Sequence, residues 1–120
     1  MSKKKKLFMK IFRAELEDLD EDIQNIENKY KEKMESQEIG NYVYLENEAF
    51  LLHEAECVSR ISANLDTIDI TGFDSVKDLV DAMRKDIHRM IQKFEYPVGV
   101  ERLINRKIDK VDSYIESLSD

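Results

Sequence analysis

The sequence predicts an all-α protein, an antiparallel up-down four-helix bundle with a longer N-terminal helical hairpin. Three observations carry this reading. Three Gly and one Pro among 120 residues leave room for few turns. Apolar residues recur at intervals of three and four, the period of a helix face, and no stretch alternates like a strand. The connections between the periodic segments are mostly short, which favours antiparallel neighbours. The chain is 38% charged, but the regular spacing of its 42% hydrophobic residues argues for a packed core over disorder.

The first helix is expected from about Lys5 to Gln37. Phe12, Leu16, Leu19, Ile23, Ile26, Tyr30 and Met34 form a coiled-coil-like seam, with charged residues filling the other positions. Gly40 is expected to take the left-handed conformation that ends a helix. The second helix is expected over about Asn41 to Asp66. One seam on it runs through Tyr44, Asn47, Leu51, Glu54, Val58, Ile61, Leu65 and Ile68. A second stripe, Leu45, Ala49, Leu52, Glu56, Ser59 and Ala63, lies nearly opposite. A helix with two apolar stripes touches two neighbours or sits in an interface.

The segment IDITGFDS is a connector, in which Thr71 with Asp74, or Ser75 with Asp78, forms a capping box for the third helix. Val76, Val80, Met83, Ile87, Met90, Ile91 and Phe94 share one face of that helix. Pro97 breaks the chain. The fourth helix runs from about Val98 to Ser117, with Val100, Ile104, Val111, Tyr114, Ile115 and Leu118 inward. The whole chain, residues 1–120, reads as one helical-bundle domain with a disordered basic tail over residues 1–6. The first two helices are longer than the last two, so part of the first hairpin should project or pair with another subunit.

Composition narrows the function. A net charge of −7 argues against nucleic acid as the main partner, because phosphate binding needs a basic surface. A single cysteine precludes an intramolecular disulfide and fits a reducing compartment. No run of 18 apolar residues is present. The start, MSKKKKLFMKIF, lacks the cleavage site of a secretory signal. The expected location is cytoplasmic.

The stretch ENEAFLLHEAECV, residues 46–58, concentrates Glu, His and Cys. On a helix these separate: Glu46, His53 and Cys57 share an edge, while Glu54 points elsewhere. His53 and Cys57, four apart, could share one metal ion, with Asp81 and His88 as ligands from another helix. The Glu-x-x-His pairs of di-iron bundles are absent. A Cys57–His53 nucleophile is chemically conceivable, but a lone cysteine reads first as a small buried hydrophobe. The His-x-x-Lys-Gly setting of a phosphotransfer domain is absent around both histidines. Glu15 with Asp18 and Glu32 with Glu35 have the spacing of magnesium-binding carboxylate pairs, a spacing common in any acidic helix.

The resulting expectation is a non-enzymatic protein-interaction, adaptor or chaperone-like bundle without a cofactor. Its partner is another protein, and it pairs with itself as a homodimer through Leu45, Ala49 and Leu52. The rival is a metal-binding or hydrolytic bundle using carboxylates and His53. A third reading docks residues 3–13, a basic segment with interleaved apolar residues, on a membrane surface. Asn47, Glu54 and Lys107 are expected to be buried polar groups, with Glu54 and Lys107 paired or each reaching solvent along its own stem.

Overall fold

The computed structural model describes residues 2–118. Among these it contains four α-helices and no strand: α1 (Ser2–Glu35), α2 (Asn41–Leu65), α3 (Val76–Lys93) and α4 (Val98–Ser117). A 3₁₀ turn, Ile70–Gly72, lies between α2 and α3. Long-range contacts give the direction of each helix. Arg13 on α1 meets Asp66 just past the end of α2 at 2.6 Å, so the first two helices are antiparallel. Lys110 on α4 reaches Glu15, and Lys4 donates to the Leu118 carbonyl, so α4 runs against α1. Arg84 with Asp109 and His88 with Glu101 make α3 and α4 antiparallel. The all-α bundle predicted from the sequence is the fold observed.

The core is one apolar cluster. From α1 it takes Phe8, Phe12, Leu16, Leu19 and Ile23, and from α2 Leu51, Cys57, Val58, Ile61 and Leu65. Leu79, Val80, Met83, Ile87 and Ile91 enter from α3, and Val100, Ile104, Ile108, Val111 and Ile115 from α4. On α4 the inward ladder steps through Ile108, and Tyr114, expected inward, is exposed instead. The reason is the wheel: 104, 108, 111 and 115 hold one line, and 114 falls outside it.

Two expectations about helix ends are corrected, and one pair of alternatives is decided. Residues 2–6 are the first turn of α1, not a disordered tail; Met1 lies outside the described residues. Lysines in this turn oppose the helix dipole. Lys5 is nevertheless buried, because its ammonium donates to the carbonyls of Ile70 at 3.0 Å and Phe73 at 2.5 Å. Gly40 is extended and caps the start of α2 (φ −76°), while Gln37 takes the left-handed conformation at φ 64°. Glu38 N–H donates to Lys33 O and Gln37 N–H to Met34 O, the two bonds of a Schellman ending. α3 ends the same way: Glu95 has φ 56°, and Tyr96 N–H donates to Ile91 O. Of the two proposed caps, Ser75 is the one used, its hydroxyl accepting from Asp78 N–H at 3.1 Å. Thr71 instead donates to Asp69, which caps the 3₁₀ turn.

Lengths explain the shape. A 34-residue α1 spans about 51 Å at ~1.5 Å per residue, whereas α3 and α4 span about 30 Å. The molecule measures 55 × 30 × 19 Å. The α3–α4 turn at Tyr96 packs beside His53, near the middle of α2. Beyond that level the distal half of α1 and the first half of α2 form a projecting hairpin.

Candidate functional site

Three places in the molecule gather chemistry-bearing residues. The first is the middle of α2 against the α3–α4 turn. Arg60 Nε donates to the Tyr96 hydroxyl at 2.9 Å and its Nη2 to Glu56 at 3.1 Å. The guanidinium lies 3.9 Å from the centroid of Phe94. The His53 ring packs on Tyr96 with centroids 4.9 Å apart, and its Nε2 lies 3.4 Å from the Glu95 carbonyl. Arg60 holds the Glu56 carboxyl below its ordinary range. This network fastens the turn to α2: Tyr96 is buried, and its hydroxyl is held by Arg60.

Cys57, one turn along, is fully buried. Burial first, then the nearby carboxylates of Glu54 and Glu56, push its thiol up to about 12. A nucleophile or metal ligand has to be a thiolate, and this environment keeps the proton on sulfur. His88 lies elsewhere, on the α3–α4 face, with Nδ1 2.9 Å from Glu101. Asp81 is exposed on α3, near the acidic group of Asp112. The four proposed ligands His53, Cys57, Asp81 and His88 are therefore not brought together. Among the described residues no three His, Cys, Asp or Glu side chains converge as a metal site.

The second place joins α1 to α4. Glu15 accepts from Lys107 at 3.1 Å and from Lys110 at 2.8 Å, with only 13% of its side chain exposed. The Lys110 hydrogen bond is the chief cause lowering its carboxyl below the ordinary value. Lys107 thus meets Glu15, not Glu54, and the expected Glu54–Lys107 pair is corrected. The cause is helix order: α4 packs along α1, while Glu54 lies on α2 at the level where α4 begins. Glu54 is half-buried and its carboxyl is raised by desolvation. Asn47 donates to the Val43 carbonyl one turn back on its own helix. The sequence signal for Glu15 was a carboxylate three residues after Phe12, on the edge of the α1 seam.

No family model, curated protein or solved structure matches this chain.

The third place is the projecting hairpin. Leu45 and Leu52 are each 52% exposed and Tyr42 is 79% exposed, with Ala49 exposed between them. These four step by three, four and three along the outer face of α2. At heptad spacing on the side toward the α3–α4 turn lie Cys57, Phe50 and Val43. Cys57 is fully buried, yet Phe50 is 53% exposed, because the α3–α4 hairpin ends between them. Ile26 on α1 loses its cover in the same way, one heptad beyond buried Leu19. The basic segment at the other end differs. Phe8, Met9 and Phe12 face the core, leaving Lys3, Lys6, Lys10 and Arg13 as the exposed row. No described helix is long and apolar enough to cross a membrane.

Proposed function

We propose that this protein is an interaction module whose working surface is the outer stripe of the projecting hairpin. The observation that supports it is the exposed row Tyr42, Leu45, Ala49 and Leu52 at helical spacing, at the end of the molecule that its own α3 and α4 do not reach. Scattered single apolar residues on a surface are ordinary, but a contiguous row with a seam-like period marks a binding face. A helix laid along it would bury both leucines in the manner of a coiled-coil seam. Two kinds of occupant fit such a stripe, a second copy of this chain or a different protein. The carboxylates, His53 and Cys57 enter as structural groups in this reading: they secure the α3–α4 turn and fill the core.

Site-specific photo-crosslinking in the native cell tests it. A photoreactive residue at position 45 should give discrete protein adducts, and Leu52→Ser should abolish them. The same residue at position 77, exposed on α3, should give none. Equal adducts from both positions, or none from position 45, would remove the stripe as the working surface.

A further inference from the structure

The charge around the stripe says what covers it. Between Met34 and Ser59 the chain has six carboxylates, Glu35, Glu38, Glu46, Glu48, Glu54 and Glu56, and no Lys or Arg. Glu46 flanks the stripe on one side and Glu48 on the other; Glu56, one turn past Leu52, is already paired with Arg60. The opposite end of the molecule is the reverse: residues 3–13 have six Lys and Arg and no carboxylate. From these observations we infer that the outer stripe of α2 binds a cationic amphipathic helix of another protein, one with Leu-like residues at seam spacing flanked by Lys or Arg. This rests on the stripe being the working surface.

Charge and packing together disfavour the other occupant. A two-fold pairing of stripes would bring Glu46 and Glu48 of one copy against the same carboxylates of the other, within a Debye length of about 8 Å at physiological salt. Like charges so placed oppose association, whereas a basic helix is attracted and steered. A head-to-tail pairing would need the basic segment of a second copy to supply apolar anchors. Phe8 and Phe12 are fully buried in their own core and Met9 nearly so. That segment therefore offers charge without a seam. The acidic rim matches such a helix on both sides: Glu46 and Glu48 lie on opposite sides of the Leu45–Ala49–Leu52 line, so cations on both flanks of an incoming helix find a partner.

The test uses the full chain and three synthetic peptides of about 21 residues, the length of three heptads. One carries Leu at seam positions and Lys elsewhere, one carries Leu and Glu, and one has the Leu/Lys composition scrambled so that no apolar face forms. Binding is followed by fluorescence anisotropy at roughly 50 and 500 mM salt. The Leu/Lys helix should bind, the Leu/Glu and scrambled peptides should not, and affinity should fall at high salt. Leu45→Ser with Leu52→Ser should weaken binding by about tenfold or more. Glu46→Gln with Glu48→Gln should weaken it several-fold, with folding of each variant checked by circular dichroism. Equal binding of the scrambled peptide, or of the Leu/Glu peptide, overturns the inference. So does sedimentation of the unliganded protein as a dimer that Leu45→Ser with Leu52→Ser dissociates, since the occupant is then a second copy. In either case adducts from position 45 in the cell would leave the interaction reading standing, and their absence would remove both.

Discussion

Gln37 and Glu95 hold left-handed backbone conformations where glycine is usual. For a residue with a Cβ this conformation costs about 1–2 kcal/mol, which the two Schellman bonds at each site offset. Glycine loses more entropy on folding, so part of the gain from replacing either residue is cancelled. Gln37→Gly and Glu95→Gly should each raise stability by about 0.5–1 kcal/mol, read as a higher urea midpoint with an unchanged slope. A lower midpoint would show that the side chains contribute more than the strain costs. The sequence does not disclose these sites, because neither position carries the glycine that marks a left-handed helix ending. Hydrogen-bond closure chose the residue, and Gly40 was used to start α2 instead.

Helix pairing is where charge placement matters most. Glu15 links α1 to α4 through two lysines one turn apart, whereas Glu54 on α2 has neither within reach. A double-mutant cycle of Glu15→Gln with Lys107→Met should show coupling of about 1 kcal/mol, the size expected for a partly buried pair with Lys110 still present. Glu54→Gln with Lys107→Met should be additive within about 0.5 kcal/mol. The reverse pattern would mean that α4 packs on α2. The pH dependence has a definite sign. Glu15 titrates below its ordinary value of 4.5 in the folded state. Its contribution is therefore present above the unfolded value and is lost as pH falls through the lowered native one. The destabilisation caused by Glu15→Gln should be full at neutral pH and vanish in acid.

For the whole molecule, unequal helix lengths produce an elongated body. The Cα radius of gyration is 16.9 Å, against about 14 Å for a compact chain of this size. Small-angle scattering of the monomer should return a value near 17 Å, and a value near the compact one would mean that the hairpin folds back. Hydrogen exchange should separate the two halves of α2. Amides near residues 57–65, beneath α3 and α4, should exchange only on global unfolding. Those near residues 42–50 should open locally, since they are covered by α1 alone.

The helix count, the order of elements, the seam of α1 and the two stripes of α2 could all be read from spacing, because a 3.6-residue period records which side of a helix is apolar. The same period showed that the first hairpin outlasts the second. Spacing along one helix holds no information about which neighbour stands beside it. Whether Lys107 met Glu15 or Glu54, whether Lys5 was free or buried against the carbonyls of Ile70 and Phe73, and which of two equal heptad positions, Cys57 or Phe50, was covered depended on how far α3 and α4 reach along α1 and α2. Those are distances between segments remote in the chain, and they are fixed by the joint packing of all four helices, not by the pattern within any one of them.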